Sequence, residues 1–294
     1  MRVSDLGEVG LLRELETRGL TAPIPDDAAV LRGGVVLTQD ALVEGVHFRR
    51  AWTSWRDLGY KAAVVNLSDL AAMGAEPEAL VVTLALPPDT SVEAVLELYA
   101  GLNEPGVPVA GGDTTAAGEL SITVAATGRS KRAPGRAGAR AGDILVVTGP
   151  LGGAAAGLEA LRRGLSGFDE LVRAFNHPPY RLDAARVLAP VAHAMMDLSD
   201  GIASDAARIA ERSGCRLVIE VERLPLFPRI AEVGDAPFWT LGEDYELLAA
   251  LEPEDADTSG FPVIGRCEEG FGVELLRNRE PLEVAGWEHF RPRR

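Results

Sequence analysis

The chain has almost no cysteine. Cys215 and Cys267 are its two, in 294 residues, far apart and without metal-ligand spacing, which excludes a disulfide scaffold and a cysteine-built zinc site. Long hydrophobic runs are also missing. The richest, 79–86, is strand-length and stops at Pro87-Pro88, short of the roughly 20 apolar residues of a membrane helix. The first sixteen residues carry Asp5, Glu8, Glu14 and Glu16 and no apolar stretch behind basic residues, so no secretion signal is read and the expected compartment is the cytoplasm. Positive charge is scarce. The net charge of −15 repels a phosphate backbone, and the best basic stretch, Arg129 to Arg140, is a Gly- and Pro-interrupted loop without aromatics, suited to a small anion. Neither nucleic acid nor membrane is an expected partner. Lysine supplies 2 of the 29 basic residues, a bias that carries no functional reading. The P-loop pattern, the protein-kinase set and the nucleophile elbow are absent as well. The turn 149–153 has the glycines of a phosphate loop without its lysine, so any nucleotide chemistry requires another fold.

What is present is an ordinary globular composition, 47 % apolar and 25 % charged, at a length that suits two lobes. The spacing predicts a helix over 4–18, then short strands 28–31 and 35–38 around Arg32-Gly33-Gly34, the second delivering Gln39 and Asp40 just past its end. Ser54 caps a helix running to about Met73, on which Lys61, Val65 and Asp69 share a face. Asp69 falls near the helix C-terminus, where the dipole disfavours an anion, which points to a cation nearby. A buried strand 79–86, a helix 91–102 and strands 107–110 and 120–127 follow. The Gly-, Pro- and Arg-rich stretch 128–142 is the best boundary. Beyond it come a strand 143–147, a glycine turn, helices 154–163, 168–175, 180–188 and 202–212, and a strand 216–221. The expected fold is α+β, with two mixed lobes over 1–137 and 138–294, because the strict strand-helix alternation of a doubly wound sheet is lacking.

Acids recur at loop junctions beside small residues: Asp26-Asp27, Asp40, Asp69, Gly111-Gly112-Asp113-Thr114-Thr115, Asp197 and Asp200. Each alone reads equally as an Asx-turn or helix cap. Asp200, directly before a helix, is the most suspect as a cap, and Asp26 as a turn residue. Carboxylates brought together raise one another's pKa unless cations intervene, so convergence of this set requires metal, and hard oxygens without His or Cys suit magnesium.

Taken in order, Asp26-Asp27-Ala-Ala-Val-Leu, Asp40-Ala-Leu-Val-Glu-Gly-Val-His47-Phe, Lys61 through Asn66-Leu-Ser-Asp69-Leu-Ala-Ala-Met-Gly, Gly111-Gly-Asp-Thr-Thr, Asp197-Leu-Ser-Asp-Gly and Gly242-Glu-Asp-Tyr-Glu-Leu resemble the thiamine-monophosphate kinase family over about 26–290. The wider superfamily includes aminoimidazole ribonucleotide synthetase, selenophosphate synthetase and a hydrogenase maturation factor. The last two are disfavoured by the lack of a Cys near either end, and the runs around His47 and Glu243 favour the thiamine enzyme over the purine synthetase. The resemblance implies two synthetase-like α+β lobes, a homodimer formed through the N-terminal sheet, and ATP-dependent phosphorylation of thiamine monophosphate, the last step of thiamine diphosphate biosynthesis. It implies several Mg2+ ions on Asp27, Thr38, Gln39, Asp40, Asp69, Asp113, Asp197 and Asp200, with Asp40, Asp113 and Asp200 catalytic. ATP contacts are implied at Tyr99, Gly112, Asp113, Arg136 and Ser199, and a substrate pocket at His47, Glu243 and Trp287. A monovalent-cation requirement stays open. The departures from the family pattern are Pro25, Gln39 and Leu241. Without the resemblance, His47, Trp287 and Arg136 read as a half-buried histidine, a core plug and a solvated loop base. Two rivals remain: an ATP-dependent cyclo-ligase on the same scaffold, and a non-catalytic nucleotide- or magnesium-binding subunit, for which Pro25 and Gln39 are the hints.

Overall fold

A computed structural model of the chain describes residues 2–23 and 26–282. Helix α1 (Val3–Thr17) bends at Gly7, whose φ is 70°. Strands β1 (Ala29–Val30) and β2 (Val35–Val43) form the expected hairpin around a tight 3-10 turn. Helix α2 (Trp55–Ala72) starts where Ser54 accepts the Asp57 amide hydrogen bond, as the capping residue requires. Strand β3 (Glu76–Leu86), helix α3 (Val92–Asn103), β4 (Val109–Ala116) and β5 (Ser121–Arg129) complete a five-stranded sheet of order β1-β2-β5-β3-β4.

Three local expectations are corrected by this sheet. Strand β2 does not stop before Gln39 and Asp40, because β5 offers it an unbroken antiparallel ladder from Arg129 to Ser121. Gly111–Thr115 are not a loop junction but part of β4, paired in parallel with β3. Strand β3 is not buried on both faces: Leu80, Val82 and Leu84 point inward and Val81 and Thr83 outward, because α2 and α3 cover one face of the sheet only.

Residues 130–143 carry no helix or strand. The second lobe then runs β6 (Ile144–Val147), α4 (Gly153–Arg163), α5 (Asp169–Asn176), α6 (Leu182–Leu188), β7 (Ala194–Asp197), α7 (Ile202–Ser213), β8 (Arg216–Glu220), α8 (Ile230–Val233), β9 (Leu247–Leu251), α9 (Pro253–Ser259), β10 (Val263–Glu268), β11 (Gly272–Arg277) and β12 (Glu280–Pro281). Its seven strands lie in the order β12-β11-β8-β10-β6-β9-β7 and pair antiparallel except β8 with β11. This is the mixed α+β architecture that the missing alternation predicted.

Helix α2 joins the lobes. Thirteen of its 18 residues are buried. One side packs on the first sheet and on α3, while Ala71 and Ala72 belong to an apolar cluster with Leu188, Met195 and Leu247 of the second lobe. Close approach of α2 and α3 depends on glycine: a Cβ on Gly59 would overlap the Leu98 carbonyl, and one on Gly101 the Arg56 carbonyl. Polar ties reinforce the join, with the Thr53 hydroxyl donating to Asn176 at 2.7 Å and Arg132 Nη2 to the Ala192 carbonyl at 2.8 Å. Gly101→Ala, which forces backbone apart on both helices, should destabilise the protein by about 1–3 kcal/mol. A urea titration followed by circular dichroism checks this, and an unchanged midpoint would contradict the packing described.

Candidate active site

Between the lobes lies a cleft of about 1510 Å³, larger than the roughly 300–1,000 Å³ of a single small-ligand pocket. Three carboxylates converge in it: Asp27 from the loop before β1, Asp69 from the last turns of α2, and Asp197 from the end of β7, with one oxygen of each within 4.8 Å of the others. Each is clamped by a neighbour. Arg136 Nη2 donates to Asp27 Oδ1 at 2.6 Å, the Thr38 hydroxyl to Asp69 Oδ2 at 2.6 Å, and the Ser68 hydroxyl to Asp197 Oδ2 at 2.6 Å.

Burial dominates the protonation of this group. It pushes Asp27 and Asp69 above the ordinary carboxylate range and Asp197 up to about 8, with the other acids adding to the effect. Asp40 on β2 is raised to about 6, first by burial of its carboxyl and then by the charges of Asp200 and Glu8. Asp40 is nevertheless open to the cleft, so water reaches it more readily than it reaches Asp197, which is buried. Asp27 Oδ2 is buried without a hydrogen-bond partner. Hard oxygens that repel one another, one of them orphaned in the interior, fit a small hard cation such as Mg2+.

The two suspected caps and turns resolve differently from their bland readings. The N-cap of α7 is Gly201, with no side-chain cap bond, and the Asp200 carboxylate instead pairs with Arg208 on the same helix. Arg208 is also held at 2.8 Å by Asp205, which is fully buried and accepts the Asp200 amide hydrogen bond at 3.0 Å. Asp26 Oδ1 accepts the Arg136 backbone N–H at 2.8 Å, fastening the interlobe loop over the acids.

The Gly242–Glu246 turn supplies another wall. Gly242, Glu243 and Tyr245 have φ of 81°, 62° and 50°, a left-handed conformation rare for side-chain-bearing residues. Alternate side chains diverge as a result. Glu243 and Tyr245 line the cleft, whereas Asp244 accepts the Gly152 amide at 2.9 Å and Glu246 accepts from Thr148 and Arg181 at 2.6 Å on the other side. Burial, then the charges of Glu243, Asp40, Asp197 and Asp69, keep the Tyr245 hydroxyl protonated well above its usual range.

Of the residues singled out from the sequence, Asp27, Thr38, Gln39, Asp40, His47, Asp69, Arg136, Asp197, Ser199, Asp200 and Glu243 line this one cleft. His47 Nδ1 accepts the Val43 amide at 3.1 Å, which orients its ring. Gly112 and Asp113 are not among the lining residues. They stand on β4, three strands from β2 in the sheet, roughly 14 Å at about 4.8 Å per strand. Tyr99 packs against the core of the first lobe, and Trp287 and Pro25 lie outside the described residues. The sequence reading missed Arg208, Trp52 and Tyr245, as well as Glu8 and Arg13 of α1, all of which line the cleft. The helical offset of Arg208 from Asp205 was a readable signal. Nothing local marked Trp52 or α1.

Comparison with known proteins bears on the whole chain. Residues 25–130 match the AIR synthase related protein, N-terminal domain, and 140–260 its C-terminal domain. A protein of Aquifex aeolicus named thiamine-monophosphate kinase is 35 % identical, across 99 % of this chain and 100 % of its own length. One of that name from Salmonella typhimurium is 40 % identical across 91 % of each. A solved structure described as AaThiL complexed with AMPPCP and TMP superposes with a TM-score of 0.90 at 34 % identity, covering 98 % of this chain and 99 % of the other.

The carboxylates make a prediction about ions. In metal-free protein Asp197 and Asp40 titrate near 8 and 6 instead of 3.8, so the folded state binds more protons than the unfolded one. Their stabilising contribution is present at low pH and is lost as pH rises through those values. Added magnesium should therefore raise Tm more at about pH 8.5 than at about pH 6, where protons compete with it. Scanning fluorimetry at the two pH values measures this. An equal shift at both, or none, contradicts the ion site.

Proposed function

Because the chain belongs to the thiamine-monophosphate kinase family, we propose that it transfers the γ-phosphoryl group of ATP to the phosphate of thiamine monophosphate, forming thiamine diphosphate and ADP. The observation that carries this reading is one cleft lined by acids of both lobes together with arginines and aromatic side chains. A phosphomonoester has its second pKa near about 6, so the acceptor is already an anion at neutral pH and needs no strong general base. The obstacle is charge. Two unit charges about 4 Å apart repel by about 4 kcal/mol at an effective dielectric of about 20, and ATP facing a phosphate multiplies that.

The chain meets this obstacle with fixed groups. Asp27, Asp69 and Asp197 would hold magnesium, with Asp40, Asp200 and Thr38 at the margin and Gln39 able to offer only its main-chain carbonyl. When bound, the ion neutralises phosphate charge and aligns the in-line displacement. Arg136 and Arg208 present guanidinium groups for charge-assisted contacts to phosphate oxygens. His47 and Glu243 serve the acceptor, Glu243 as a counter-charge to its cationic thiazolium ring.

The active species in this reading is a homodimer in the cytoplasm. No described helix is long and apolar enough to cross a membrane. The first sheet leaves Leu37, Gln39 and Ala41 of β2 and Val81 and Thr83 of β3 exposed on the face opposite its helices, and β4 exposes seven of its eight residues. An uncovered face and an unpaired edge suit self-association. A second copy seated there would explain how Gly112 and Asp113, remote from their own chain's cleft, serve a site. Tyr99, half-buried against the core of its own lobe, is assigned no contact.

Purified protein with ATP and magnesium should form thiamine diphosphate from thiamine monophosphate and not from thiamine. Phosphate release without a phosphorylated acceptor would point instead to the cyclo-ligase reaction. Asp69→Asn should lower kcat by roughly 10²-fold or more with the fold intact, the scale of losing a preorganised electrostatic group. Mixing the inactive Asp40→Asn and Asp113→Asn proteins should restore turnover, since a mixed dimer contains one site with both aspartates. Failure of that complementation would remove Asp113 from the site.

A further inference from the structure

Lys61 is the least expected residue of α2. Its side chain is 1 % exposed, and an ammonium removed from water is unfavourable unless paired and hydrogen-bonded. Its partners are all in the second lobe. Nζ donates to the Phe175 carbonyl at 2.9 Å and to Glu243 Oε2 at 3.1 Å, and lies 3.9 Å from the centre of the Phe175 ring. Lys61 is not among the residues lining the cleft, whereas Glu243 is, with 27 % of its side chain exposed. The ammonium therefore grips the carboxylate from behind.

The backbone of Glu243 is fixed independently of that grip. Its φ of 62° is left-handed, its N–H donates to the Ser199 carbonyl at 2.8 Å, and a Cβ on Gly242 would overlap the same carbonyl. What the backbone leaves undecided is the side-chain rotamer, and the ion pair decides it. A carboxylate held in one place at a cleft wall discriminates by charge, attracting a cation or an N–H donor and repelling phosphate. Of the two substrates, only thiamine monophosphate carries a permanent cation.

We propose that Lys61 is a positioning residue for the acceptor substrate, holding Glu243 where it selects a cationic heterocycle. This rests on the kinase reading, and its test separates the two. KM for thiamine monophosphate and for ATP are measured for the wild type, Lys61→Met, Glu243→Gln and the double variant. Lys61→Met should raise KM for thiamine monophosphate about tenfold, the effect of losing a hydrogen bond to a charged group. KM for ATP should stay within about twofold, since among the described residues Glu243 is the one charged cleft residue that Lys61 holds, its other cleft partner being the apolar Phe175. In the Glu243→Gln background, Lys61→Met should add no further increase, because its effect runs through that carboxylate and not through Phe175. Equal increases in both KM values, or a Lys61→Met effect undiminished in that background, overturn the proposal. If Lys61→Met alone does not fold, the double variant, which leaves no unpaired charge, is compared with Glu243→Gln: matching KM values support the proposal and different ones overturn it. A wild type that forms no thiamine diphosphate refutes the kinase reading itself.

Discussion

Helix α2 has almost no face to give to water, and that constraint organises the molecule. A helix with 13 of 18 residues buried must find an internal partner for every polar group it carries. Asn66 does so within the first lobe, its Oδ1 accepting the Asp40 amide at 2.9 Å. Ser68 and Lys61 do so across the lobe junction, on Asp197 and Glu243. The polar residues of one helix thus register β2, the end of β7 and the Gly242–Glu246 turn against each other. The cleft is what lies where they meet.

That registration brings together charges that would otherwise separate. Asp27, Asp69 and Asp197 come from three elements and two lobes, and the burial that raises them toward the protonated form is supplied by apolar packing of α2 on both sheets. Free energy from the core is thereby invested in an unfavourable electrostatic arrangement, which a bound cation would relieve. A stable interior holding a strained polar centre is the pattern expected of a functional site. An acid stands at the wrong end of the α2 dipole because Asp69 faces the cleft, where the Thr38 hydroxyl donates to it.

Legibility in the sequence followed the range of the interactions involved. The Ser54 cap, the hairpin at Arg32–Gly34 and the limits of α2 and α3 came out as read, because each is decided by neighbours a few residues away. The extent of β2 and the strand character of Gly111–Thr115 did not, since both depend on pairing with distant strands, and glycine-rich segments carry little strand propensity of their own. Asp200 looked like a cap because its partner Arg208 lies more than one helical turn beyond the usual capping distance. Lys61 was visible as a base on the Asp69 face, but its partner Glu243 lies 182 residues away.

From the sequence alone came the membership of the family, the division into two α+β lobes and most of the acids, because residue type and order are written in the chain and the chemistry of a carboxylate travels with it. Tertiary structure decided which acids meet, which oxygen is left without a partner, and which residues stand outside their own chain's cleft. Those are matters of distance between segments far apart in sequence, and distance is set by how α2 packs between two sheets and not by any local pattern.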